Sequence, residues 1–85
     1  MQRSLMNLIY AKKFVKKFAK YTPAIQKQIH RAICNIPMGD IRTIVGQNSP
    51  QMYRLRVSKY RVVFYYPDKE SVYILKVDSR GDVYK

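Results

Sequence analysis

The chain has 85 residues and carries 17 Lys and Arg against five Asp and Glu, a formal net charge of +12 at neutral pH. Its length predicts one domain, residues 1–85, and its apolar share of 47% argues against a disordered tail. The sequence lacks a membrane span, a signal-peptide pattern and a second cysteine beside Cys34, so we expect a cytoplasmic protein without a membrane partner or internal disulfide.

The N-terminal half predicts one strand followed by two helices. Residues 5–10 are apolar enough for a short strand, although a helical lead-in is also possible. From Ala11 the apolar residues recur at helical spacing, which predicts an amphipathic helix. Its remaining positions form a lysine face made of Lys12, Lys13, Lys16, Lys17 and Lys20. Thr22 and Pro23 predict the N-cap and first residue of a second helix, which stops before Pro37.

The C-terminal half alternates apolar and polar residues and predicts strands. The expected strands are residues 41–45, 52–57, 60–66 and 71–77. Residues 46–50 have the composition of a loop, Ser58-Lys59 of a tight turn, and the last eight residues are expected to leave the sheet. The fold class is therefore α+β, with a helical hairpin packed on a small antiparallel sheet of about four strands.

Three arginines are expected on one side of the central hairpin. Arg54 and Arg56 share one parity of their strand, and Tyr53, Leu55 and Val57 share the other. Arg61 opens the returning strand. Guanidinium groups bind phosphate in a bidentate manner and stay charged at any working pH. Together with the net charge, this pattern indicates a surface that holds a polyanion such as nucleic acid.

Three segments of the chain resemble the RelE/ParE superfamily of toxins from type II toxin–antitoxin systems. The segments are Tyr-Ala-Lys-Lys-Phe-Val-Lys-Lys-Phe at 10–18, the hairpin at 53–65, and Val77 followed by Arg80-Gly81-Asp82-Val83-Tyr84. The resemblance implies a RelE-type ribonuclease that cuts mRNA in the ribosomal A site by attack of a ribose 2′-OH on its own 3′ phosphate. It also implies an acidic cognate antitoxin as partner in a hetero-oligomer, and neither metal nor cofactor.

The same resemblance assigns roles to individual positions. The catalytic residues that it implies are Arg54, Arg56, Arg61, Arg80 and Tyr84. Many relatives carry a histidine where this chain has Ser79, which leaves the general base open. Asp78 and Asp82 are carboxylates near the site, with loop capping or pairing to an arginine as equally good roles. The lysine face is either solvated surface or a ribosome-binding surface for RNA phosphates.

Two rival functions remain open from the sequence. One is a ParE-like toxin that poisons DNA gyrase and needs no nuclease site. The other is a non-catalytic basic RNA-binding module, or an inactive remnant of a toxin, which the missing histidine makes plausible. The several arginines, with terminal Arg80 and Tyr84, favour the ribonuclease.

Overall fold

The computed structural model describes residues 6–48 and 50–79, which form five strands and two helices. In chain order these are β1 (Asn7–Tyr10), α1 (Lys12–Phe18), α2 (Pro23–Cys34), β2 (Ile41–Asn48), β3 (Gln51–Val57), β4 (Tyr60–Tyr65) and β5 (Ser71–Ser79). The strands form one sheet in the order β1-β5-β4-β3-β2. The predicted α+β class, with a helical hairpin on a sheet, is confirmed.

The sheet differs from the antiparallel one of about four strands that the sequence predicted. It has five strands, and β1 runs parallel to β5, from Asn7 opposite Ser71 to Tyr10 opposite Ile74. The other neighbouring strands are antiparallel. A parallel pair needs a long crossover, and here the chain passes through both helices and three strands before β5 reaches β1.

Both helices form where the sequence predicted them. The Thr22 side chain accepts a hydrogen bond from the Ile25 N–H at 3.4 Å, and Pro23 is the first helical residue of α2. These two features satisfy or remove N–H groups that a helix start leaves unpaired. Helix α1 has only seven residues and no side-chain cap. Its stability must therefore come from packing, since isolated helices this short are unstable in water.

The hydrophobic core lies between the helices and one face of the sheet, which we call the inner face. Phe14 of α1 is buried there and stacks between Tyr10 and Phe18 at centroid distances of 5.4 and 5.2 Å. Fully buried side chains from α2 and the strands complete the core; among them are Ile29, Ile33, Leu55, Val62, Phe64, Ile74 and Val77. We call the opposite face of the sheet the outer face.

Two strands, β2 and β5, extend at least two residues beyond their predicted ends. Strand β2 continues to Asn48, which pairs with Gln51, so residues 46–48 belong to the sheet rather than to a loop. A register shift after Thr43 and the positive φ of Gly46, +87°, let this irregular strand keep pairing with β3. Strand β5 continues to Ser79 because the start of β4 offers partners for its last two residues.

The β3–β4 turn gives a first test of stability. Ser58 adopts φ of +59°, a left-handed conformation that costs a residue with a Cβ about 1–2 kcal/mol. We expect Ser58→Gly to raise the free energy of unfolding by about 0.5–1 kcal/mol, after the greater freedom of glycine in the unfolded chain is subtracted. Lys59→Gly is the matched control and should lower the free energy of unfolding. Urea unfolding measures the free energy of unfolding of both variants. A Ser58→Gly variant that is less stable than the wild type would contradict the expectation.

Candidate functional site

Strand register places the arginines of the hairpin on the outer face of the sheet. Arg56 lies opposite Arg61 across β3 and β4, and Arg54 lies opposite Val63. Their neighbours Leu55 and Val57 are buried in the core on the inner face. Side chains directly opposite on one face have Cβ atoms about 4.5–5.5 Å apart, so this arrangement concentrates positive charge on a small area.

A groove with a volume of about 580 Å³ lies on this outer face, and we call it the basic groove. Strands β2 to β5 and helix α1 contribute to its wall. Its lining residues are Lys13, Thr43, Ile44, Met52, Arg54, Arg61, Val63, Leu75, Lys76 and Asp78. Four of these are cations and one is an acid. The volume lies in the range of about 300–1,000 Å³ that is typical of pockets for small ligands.

Arg54 is the most constrained cation of the basic groove. Its side chain is half-buried, and its Nη1 atom is fully buried without a hydrogen-bond partner among the described residues. An unpaired buried donor costs about 1–3 kcal/mol, and more when it is charged. Val63, only 9% exposed, lies directly opposite Arg54. The groove therefore combines an apolar floor with the positive charge of the Arg54 guanidinium.

Asp78 brings a carboxylate into the basic groove from β5. It lies opposite Arg61 in the register, and its Oδ2 atom is 3.6 Å from Lys76 Nζ. Its Oδ1 atom is 3.9 Å from Lys17 Nζ of α1. All three side chains are partly exposed, and ion pairs of this kind contribute about 0–1 kcal/mol to stability. Their importance is therefore positional, because they join α1 to the end of β5.

An extra residue in β5 shapes the same wall. Val63 pairs with Lys76 and Phe64 pairs with Ile74, so Leu75 is a bulge residue without a partner in β4. Bulges redirect side chains, and here both Leu75 and Lys76 line the basic groove.

Comparison with protein families assigns the fold to a known group. The profile of the family described as "ParE toxin of type II toxin-antitoxin system, parDE" matches residues 8–84, which is nearly the whole chain. The chain belongs to this toxin family. Among curated protein sequences, none matches the toxin significantly.

Solved structures of RelE toxins have the same fold as this toxin. The RelE–RelB complex of Pyrococcus horikoshii OT3 matches with 21% identity and a TM-score of 0.71, covering 91% of this chain and 97% of that chain. The RelB–RelE antitoxin–toxin complex of Methanococcus jannaschii matches with 26% identity and a TM-score of 0.70, covering 89% and 94%. The isolated E. coli RelE toxin matches with 21% identity and a TM-score of 0.71, covering 93% and 90%.

The structure brings together only some of the toxin's predicted site residues. Arg54 and Arg61 line the basic groove, whereas Arg56 lies on the same face but is exposed and outside the lining. Arg80 and Tyr84 lie outside the described residues. The residues of the predicted lysine face have different surroundings. Lys13 lines the groove and Lys17 pairs with Asp78. The other three, Lys12, Lys16 and Lys20, are exposed.

Lys76 is a groove residue that the sequence reasoning missed. Lys76 and Asp78 are two residues apart in β5, so they lie on the same face of the sheet, and Val77 between them is buried on the other face. This alternation is visible in the sequence. The sole histidine, His30, lies in α2 and does not line the basic groove. Within residues 6–48 and 50–79, no group of three or more His, Cys, Asp or Glu could hold a metal, and no helix could cross a membrane.

A second surface of the toxin is apolar. We call it the interhelical pocket, a depression of about 250 Å³ lined by Tyr10, Phe14, Val15, Phe18, His30 and Ile33. Val15 at its rim is 50% exposed, next to the exposed Lys16. Burial, and then the electrostatic influence of Cys34, raise the pKa of the Tyr10 phenol. That side of the pocket is therefore uncharged at neutral pH.

Proposed function

We propose that this toxin is a ribosome-dependent endoribonuclease that acts in the cytoplasm and cleaves the mRNA held in the ribosomal A site. The observation that carries the proposal is the basic groove, where Arg54 and Arg61 converge over an apolar floor. A phosphate would pair with the guanidinium of Arg54, and a base would contact Val63 and Met52. The resemblance of the hairpin to RelE-type toxins supports the same activity.

The reaction begins with a ribose 2′-OH that attacks the adjacent 3′ phosphate. The phosphorane that forms carries extra negative charge, which Arg54 and Arg61 stabilise by charge-assisted hydrogen bonds. The bond to the 5′ oxygen of the next nucleotide then breaks. The products are a 2′,3′-cyclic phosphate and a 5′-hydroxyl end, and the step needs a group that removes the 2′ proton and one that protonates the leaving oxygen.

The test is cleavage of a defined mRNA on purified ribosomes, mapped by primer extension. We expect cuts within the A-site codon and none in the same mRNA without ribosomes. The family description as a ParE toxin favours a second candidate, a gyrase inhibitor, which would block supercoiling of DNA and leave the mRNA intact. Ribosome binding without any cleavage would instead indicate a non-catalytic RNA-binding module.

The proposal includes a cognate acidic antitoxin as partner in a hetero-oligomer. The Pyrococcus and Methanococcus structures are RelE–RelB complexes, and this toxin has their fold. We assign the docking site to the interhelical pocket and the adjoining helix surfaces. An antitoxin segment with apolar residues on one side and acidic residues on the other would fill the pocket and pair with Lys12 and Lys16. Segments that fold on binding pay an ordering cost that charge attraction helps to offset.

The lysine face provides a test of ribosome binding. We expect a variant in which Lys13, Lys16, Lys17 and Lys20 are replaced by Gln to bind ribosomes more weakly and with a flatter dependence on salt. Each lost phosphate contact should lower the slope of log K against log salt by roughly 0.7–0.9. The control replaces Lys27 and Lys69, exposed lysines of α2 and the β4–β5 turn. An unchanged slope for the quadruple variant would make the lysine face solvated surface only.

A further inference from the structure

We propose that Asp78 is the general base that removes the 2′ proton in the cleavage reaction, an inference that rests on the proposed endoribonuclease function. Asp78 is the one acidic residue that lines the basic groove within the described part of the chain. It shares the groove wall with Arg61, which faces it across β4 and β5. A base and a phosphate-binding cation are thereby placed next to each other.

The surroundings of Asp78 agree with a role in chemistry rather than in RNA binding. A carboxylate repels RNA phosphates, so it weakens binding in a groove that otherwise carries Lys13, Arg54, Arg61 and Lys76. Its ion pairs to Lys17 and Lys76 are partly exposed and long, so they contribute little to the free energy of folding. A proton acceptor beside the scissile phosphate would compensate for the repulsion. The sole histidine, His30, lies in α2 outside the groove and cannot take this role.

The step balances with residues of the groove. The 2′-O–H bond breaks and its proton moves to an Asp78 carboxylate oxygen, while the 2′ oxygen forms a bond to phosphorus. The P–O5′ bond breaks, and the 5′ oxygen takes a proton from an ammonium of the groove, Lys13 or Lys76. Arg54 and Arg61 hold the phosphate oxygens throughout. Exchange with water afterwards returns a proton to the lysine and removes one from Asp78.

The test is the single-turnover rate of mRNA cleavage on saturating ribosomes, with Asp78→Asn as the main variant. The amide keeps the size of the side chain and removes the base, so we expect the rate to fall about 10²–10⁴-fold. Ribosome affinity should stay the same or rise, because a negative charge is lost. Asp78→Glu keeps a carboxylate and should recover part of the rate. Glu70→Gln, an exposed position in the β4–β5 turn, is the control for loss of one negative charge.

The pH dependence separates a base from a residue that only positions its neighbours. Among the described residues, the charged groups that pair with Asp78 or line the groove with it are Lys13 and Lys17 of α1, Arg61 of β4, Arg54 of β3 and Lys76 of β5. The pH–rate profile of cleavage should change shape in Asp78→Asn, because the variant has no carboxylate that accepts the 2′ proton.

The outcomes of this experiment distinguish a wrong base assignment from a wrong proposed function. If the wild type cleaves and Asp78→Asn cleaves within about threefold of it, the base assignment is wrong and the ribonuclease function stands. A slow Asp78→Asn variant whose pH–rate profile keeps the wild-type shape would also overturn it, since Asp78 would then only position Lys17 or Lys76. If the wild type leaves mRNA intact on the same ribosomes, the proposed function itself fails, and the base with it.

Discussion

Arg61→Ala should lower the rate of ribosome-dependent mRNA cleavage by roughly 10²–10³-fold while the protein stays folded. Loss of one donor to the charge that develops in a transition state typically has this effect. Arg61 lies at the start of β4 with its side chain half-exposed in the basic groove, so its removal leaves no cavity in the core. Arg61→Lys keeps the charge but not the planar fork, and we expect it to recover only part of the rate.

Substitutions of two other arginines test whether the loss of cleavage is specific to Arg61. Arg31→Ala removes the same charge from the exposed surface of α2 and should leave cleavage within about twofold of the wild type. Arg56→Ala removes an exposed arginine of the outer face that does not line the groove, so its effect should be smaller than that of Arg61→Ala. Full activity in a folded Arg61→Ala variant would remove Arg61 from the proposed mechanism.

The sequence predicted the hairpin well because its register and its two faces are determined by residues that are close together in the chain. Alternation from Tyr53 to Val57 decides which side chains face the core, and the two-residue turn at Ser58-Lys59 decides the register. Together they place Arg56 opposite Arg61 without a contact to a distant part of the chain. The N-cap of α2 is equally local, because Thr22 and Pro23 act within one turn.

The rest of the site depends on contacts between distant parts of the chain. The parallel pairing of β1 with β5 joins residues more than sixty positions apart, and no local pattern predicts it. It places α1 against the end of β5, so that Lys13 and Lys17 come close to Asp78. The bulge at Leu75 is equally invisible in the alternation of β5, yet it lets the consecutive residues Leu75 and Lys76 both line the groove.

Val15→Asp should weaken binding of the cognate antitoxin by on the order of 10²-fold and should leave mRNA cleavage intact. Val15 is half-exposed at the rim of the interhelical pocket, so an aspartate is tolerated in the free toxin. In the complex the carboxylate would be buried against an apolar, acidic partner, and an unpaired buried charge costs about 3 kcal/mol or more. A cell that expresses this variant should therefore arrest even when the antitoxin is present.

Val45→Asp is the matched control, because Val45 is 96% exposed on β2 and does not line the pocket. It introduces the same charge and should change the affinity by no more than about twofold. Hydrogen exchange of the complex provides a second measurement, with protection expected for amides of α1 and α2 next to the pocket. Wild-type affinity in Val15→Asp, or tight binding without protection on either helix, would place the antitoxin elsewhere. The basic groove, with its cations exposed to an acidic segment, would then be the surface to test next.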